Sequence, residues 1–69
     1  MKNIKVDARG FACPEPVLMT KKALVSNPDC LEVLVDNQTS VQNITRFVNT
    51  VGKTATVTPE AEDFLLTIK

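Results

Sequence analysis

Apolar and polar residues alternate with period two in four short stretches of the chain and recur at helical spacing in two longer ones. Ile4 and Val6 alternate with Asn3 and Lys5 before the pattern breaks at Asp7-Ala8-Arg9-Gly10, which predicts a first strand running into a loop. From Val17 to Ser26 there is no breaker, and Val17, Lys21, Leu24 and Val25 fall on one arc, predicting a helix of about three turns. Asn27-Pro28-Asp29 stops it, and the β-branched run Leu31-Glu32-Val33-Leu34-Val35 forms a second strand that ends at Asp36-Asn37.

A second helix follows. Val41, Ile44, Val48 and Val51 repeat at three- and four-residue spacing, Thr39 or Ser40 is placed to cap its start, and Gly52 sits where a left-handed C-cap belongs. Ala55 and Val57 alternate with threonines, Pro59-Glu60-Ala61-Glu62-Asp63 reads as a turn, and Phe64, Leu66 and Ile68 alternate with Leu65 and Thr67. The first strand, helix and second strand predict a right-handed parallel unit. The last two strands predict an antiparallel hairpin whose final strand leaves an edge free for pairing. The expected fold is therefore α+β, a two-layer α/β sandwich of order βαβαββ. Its four-stranded mixed sheet carries both helices on one face, because 69 residues cannot cover two.

Composition narrows the function. A chain of 69 residues holds one domain, 1–69. Eight basic and eight acidic residues give zero formal net charge, so no global field attracts a polyanion and nucleic acid is not an expected partner. No uninterrupted apolar run exceeds three residues, and Met1-Lys2-Asn3-Ile4-Lys5 is not an apolar signal core. Neither a signal peptide nor a membrane span is expected, and the cytoplasm is the default compartment. The chain has two cysteines and no histidine, which removes Ser-His-Asp triads, Cys-His dyads and histidine-bearing zinc sites. Chemistry is left to cysteine, carboxylate, lysine or arginine.

One motif meets that condition. Cys13-Pro14-Glu15-Pro16 stands where the first loop enters the first helix. Pro14 suits a first helical position, and a residue before proline is pushed into the extended geometry of an N-cap. A thiol there feels the positive end of the helix dipole, which favours the nucleophilic thiolate. Glu15 opposes that ionisation even as it suits the helix start, and Pro16 stiffens the turn. The position where a dithiol oxidoreductase carries its second cysteine holds Pro16. Cys30 lies beyond the far end of the helix, roughly 18 Å away at ~1.5 Å per residue, too far for a disulfide, and its opening of a strand reads as structural. A lone thiolate that cannot resolve itself is suited to carrying a group and yielding it to a partner thiol, with persulfide the natural cargo.

With these residues in view the chain resembles the TusA/SirA/YedF family of small sulfur carriers, whose signature reads here Asp7-Ala8-Arg9-Gly10-Phe11-Ala12-Cys13-Pro14-Glu15-Pro16. The likeness continues through Val35-Asp36-Asn37 and the second helix to Leu65-Leu66-Thr67-Ile68-Lys69, and its middle is most similar to the N-terminal domain of YedF-type proteins associated with selenium metabolism. The resemblance implies a persulfide on Cys13, received from a cysteine desulfurase or another donor and passed to an acceptor protein, a DsrE-like one among the candidates. YedF-type proteins carry a DsrE-like domain after this one, so the chain is expected to be either a stand-alone homologue or the N-terminal domain excised from such a protein. Gln42-Asn43 stand where TusA, the carrier for tRNA thiolation, has an Arg-Asp pair, which implies a different choice of partner.

Around Cys13, the residues Arg9, Gly10, Pro14, Glu15 and Pro16 are expected to support the motif and its thiolate, with Arg9 either favouring an anionic sulfur or steering a partner and Gly10 supplying backbone freedom. Asp36 and Asn37 fall at the same sheet end. With Leu18, Met19 and Lys22 they form the candidate docking set, Met19 being expected to point away from the core. Arg46 and Phe47 read as helix-edge packing, and Lys21 as a solvated face. No metal or organic cofactor is implied, and so small a domain offers no deep pocket. Whether the carrier is properly an enzyme, a sulfurtransferase, stays open. The alternative is a regulatory or interaction module that uses the same surface without transferring sulfur. A small RNA-binding domain of the same element order is disfavoured by the zero net charge.

Overall fold

The computed structural model describes residues 3–11 and 15–69. Six elements follow one another as β1 (Asn3–Asp7), α1 (Glu15–Val25), β2 (Cys30–Val35), α2 (Gln38–Thr50), β3 (Ala55–Glu60) and β4 (Asp63–Ile68). They form the expected two-layer βαβαββ sandwich with a mixed four-stranded sheet. Its strand order is β1-β2-β4-β3, with β1 parallel to β2 and β4 antiparallel to both of its neighbours.

The final strand is therefore central, and the expectation of a free edge there is corrected: the edges are β1 and β3. Leu34 is flanked by Val33 and Val35, and Leu65 by Phe64 and Leu66, so each central strand places a leucine on the outer face as well, beside Glu32 and Thr67. The threonine-rich β3 suits an edge. Pro59 belongs to β3 and pairs with Phe64, a second correction, since the turn is only Ala61-Glu62. An edge strand tolerates proline because one side of its backbone needs no ladder partner. Ala61 turns the chain with φ of 54°, a left-handed conformation that costs a non-glycine residue about 1–2 kcal/mol.

One face of the sheet builds the core. Leu31, Val33 and Val35 of β2 and Leu66 and Ile68 of β4 lie on it, and Val41, Ile44 and Val48 of α2 cover them, each at most 5% exposed. Full burial of each such side chain stabilises the fold by about 1.5–3 kcal/mol. On the opposite sheet face Lys5, Asp7, Thr56 and Thr58 are exposed.

The start of α2 departs from the reading of the sequence. Its N-cap is Asn37, not Thr39 or Ser40: extended at φ −151°, it accepts the Ser40 amide on its side-chain oxygen at 2.7 Å. The end agrees, since Gly52 has φ +81° and the Gly52 and Lys53 amides donate to the Asn49 and Val48 carbonyls, a Schellman cap.

Helix α1 is rotated relative to the predicted arc. Pro16 and Thr20 are its buried residues, while Val25 is 81% exposed. A threonine serves in this interface because its hydroxyl donates to the Pro16 carbonyl one turn back at 2.9 Å, so the buried hydroxyl has its partner within the helix. Met19 lies next to Thr20 and packs against the core. Its expected outward direction is thereby corrected. Asn27, at φ 51°, ends the helix and donates its amide to the Leu24 carbonyl.

Candidate functional site

Parallel pairing of β1 with β2 places Asp7 beside Leu34, so the loop leaving β1 and the α2 cap leaving β2 share one end of the sheet. Ala8 is fully buried and donates its amide to the Leu34 carbonyl at 2.8 Å, carrying the ladder one residue past the strand. The chain then turns at Gly10, whose φ of +83° demands glycine, although a Cβ would meet nothing within 4 Å. The conformation, not space, fixes the residue.

Two clamps hold this turn in place. Asp36 accepts the Gly10 amide on Oδ2 at 2.8 Å and the Asn37 side-chain amide on Oδ1 at 3.0 Å. Asn37 in turn caps α2 through its other side-chain atom. A continuous chain of hydrogen bonds thus runs from the turn at Gly10 into the first turn of α2. The Gly10 amide is the main cause, with the Asn37 amide second, that holds the Asp36 carboxyl below its ordinary value.

Arg9 forms the other clamp. Its backbone amide and Nε donate to Asp7 Oδ1 at 3.1 and 3.0 Å, Nη2 to Asp7 Oδ2 at 2.9 Å, and Nη1 to Asp63 Oδ2 at 3.3 Å. The guanidinium bridges the end of β1 to the start of β4, and these bonds pull Asp7 down to about 2 while raising Arg9 above its ordinary value. The Arg9 charge, the candidate for favouring an anionic sulfur or steering a partner, is engaged by Asp7 and Asp63.

Cys13 and Pro14 lie outside the described residues. Beyond them Glu15 is exposed in the first turn of α1 and is followed by the buried Pro16. Pro16 therefore has a packing role as well as a stiffening one. Leu18 is 45% exposed and Lys22 is exposed in the last turn of the same helix. Arg9, Gly10, Asp36 and Asn37 are brought together, and Lys22 sits toward the other end of α1. Sequence reasoning missed three participants. Asp7 and Asp63 hold Arg9, and Phe11, two positions before the cysteine, is 46% exposed. An aromatic residue in a polar loop was a legible signal; the reach of Asp63 across the sheet was not.

Cys30 is a free, half-buried thiol paired with Asn3 at the opposite end of β2. Among the described residues no cluster of side chains could hold a metal ion, and no helix is long and apolar enough to cross a membrane.

Comparison with known proteins gives this geometry a context. Residues 4–69 match the family model described as sulfurtransferase TusA. A protein of Methanocaldococcus jannaschii described as a candidate sulfur carrier is 41% identical over 68 residues, covering 94% of this chain and 91% of that one. The crystal structure of a SirA-like protein from Desulfitobacterium hafniense superposes with a TM-score of 0.86 at 33% identity, covering 94% and 93% of the two chains. The family is one of sulfur carriers, whose work requires a sulfur donor and a sulfur acceptor, and by these matches the chain belongs to the TusA family.

Proposed function

We propose that the protein is a persulfide carrier that works through Cys13. The Cys13 thiolate attacks the outer sulfur of a donor persulfide, such as that of a cysteine desulfurase. A new S–S bond forms, the donor's S–S bond breaks, and the donor leaves as a thiolate. In the second step an acceptor thiolate attacks the outer sulfur of Cys13–S–SH, and Cys13 departs as the thiolate it began as. Each step is a thiol exchange with no net oxidation. The acceptor is a cysteine protein, a DsrE-like one being the first to try, and the cytoplasm is the compartment in which such thiols stay reduced.

The observation that carries this reading is that the described residues before and after the motif in sequence are tied to the rest of the fold. Upstream, Gly10 is tied to Asp36 and Arg9 is tied to Asp7 and Asp63. Downstream, Pro16 is buried and its carbonyl accepts the Thr20 hydroxyl. A transfer site benefits when its flanks do not reorganise during reaction. Phe11 and Leu18 offer exposed apolar surface on either side of the motif, suited to a partner protein rather than a small substrate.

The test is loading with sulfane sulfur by a desulfurase and cysteine. Cys13→Ser is expected to abolish loading with the fold intact, and full loading of that variant contradicts the proposal.

A further inference from the structure

We propose that the groove between the C-terminal halves of α1 and α2 is a second docking site, for an acidic, amphipathic segment of a partner protein. It is an open groove of about 470 Å³, lined by Lys21, Leu24, Val25, Phe47, Val51 and Lys53. It lies away from the sheet end that holds Gly10 and Asp36, because both helix C-termini point to the other end. The site stands independently of the persulfide chemistry.

Three observations converge on the occupant. First, the floor is apolar and wet: Val25 is 81% and Val51 50% exposed, two of the five large apolar side chains so exposed among the described residues. They sit together across the groove, whereas scattered exposed apolar residues would need no explanation. Second, the rim is cationic. Lys21 and Lys53 flank the apolar floor, Lys22 and Arg46 extend the charge along the two helices, and the helices' one acid is Glu15 at the far end of α1. None of these four cations pairs with a carboxylate among the described residues, and Asp29, in the turn after α1, is already engaged. The chain as a whole is neutral, so the cations are segregated here rather than part of a general basic surface. Third, the negative ends of the helices are muffled, since the Val48, Asn49 and Leu24 carbonyls are capped by chain amides.

An open groove does not enclose a small ligand, which typically needs most of its surface buried, but it fits the apolar side chains of a helix or loop laid along it. A second copy of the chain would bring lysines against lysines. Carboxylates flanking two or three large apolar residues satisfy both floor and rim, and the charges act mainly on encounter and selectivity.

The experiment selects random 12-residue peptides displayed on phage against the immobilised full chain, then titrates the enriched peptides into isotopically labelled protein. Enriched sequences are expected to combine Asp or Glu with large apolar residues and to shift the amides of Leu24, Val25, Phe47 and Val51. The double variant K21E/K53E should weaken them tenfold or more and V25D comparably, while both still load sulfur like the unchanged protein. Val25 and Lys21 are exposed and Lys53 is half-buried outside the core, so these variants are expected to keep the fold. The proposal is overturned by no enrichment, by neutral or basic winners, by shifts elsewhere, or by charge reversal that changes affinity less than twofold. Concentration-dependent self-association abolished by V51D, or dodecanoate binding in the groove when peptides do not, also overturns it.

Discussion

Asp36 accepts the backbone amide of Gly10 at 2.8 Å across 26 residues of sequence. That bond ties the end of β2 to the turn that leads into Cys13, and through Asn37 it continues into the cap of α2. Replacing Asp36 with alanine removes the acceptor while leaving an exposed site that loses no packing. The expected result is local: hydrogen exchange at Gly10 speeds up by about tenfold or more, core amides such as Ile44 hold their protection, and the rate of sulfur loading falls. Uniform loss of protection would assign Asp36 a global role instead.

The same bonds set a pH dependence. Asp7 and Asp36 are both held below their ordinary value, Asp7 at about 2 by the Arg9 side chain and amide. A depressed carboxyl stabilises the folded form above its unfolded pKa and loses that contribution as pH falls through the folded value. The loop clamps should therefore hold at neutral pH and release between about pH 4 and pH 2, the lower end set by Asp7. Carboxyl titration by NMR checks this, with the Gly10 amide shift tracking Asp36. Midpoints at or above the ordinary aspartate value of 3.8 for both groups would remove the clamps from the account.

Much of the fold was legible because its signals are local. Period-two and helical spacing marked all six elements, and Gly52 marked the end of α2 through the positive φ that glycine permits. Sheet order was less legible, since alternation says which face a residue takes and not which strand lies beside it. Only the apolar runs around Leu34 and Leu65 hinted that β2 and β4 are central. The rotation of α1 was hidden because its buried positions include Pro16 and Thr20, and Thr20 becomes acceptable only through its bond to the Pro16 carbonyl. The site divides the same way. Motif residues announce themselves by type, whereas the reach of Asp63 to Arg9 spans 54 positions and exists only in the folded chain.

The cap of α2 offers a sharp comparison between neighbours. Asn37→Ala should cost about 1 kcal/mol, the usual worth of an N-cap side chain, and should also release one of the two bonds on Asp36. Thr39→Ala should change stability by less than about 0.5 kcal/mol, as surface substitutions do. Urea unfolding of both variants decides the matter, and an equal or larger loss for Thr39 would return the cap to that residue.

Two backbone positions predict opposite signs. Gly10→Ala should destabilise by about 1–2 kcal/mol, because φ of +83° is costly for any residue with a Cβ. Ala61→Gly should stabilise by up to about 1 kcal/mol, relieving φ of 54° in the two-residue turn, less some gain in unfolded-state freedom. Thermal unfolding of the pair checks both, and a destabilised Ala61→Gly would contradict the strain assigned to that turn.

The most direct test of the central claim is intact-protein mass spectrometry after incubation with a cysteine desulfurase and cysteine, comparing the unchanged chain with Cys13→Ser and Cys30→Ser. The account predicts a reductant-labile gain of one sulfur that requires Cys13 and is indifferent to Cys30. A folded, unchanged chain that takes up no sulfur from any of several desulfurases, or one whose sulfur sits on Cys30, would contradict it.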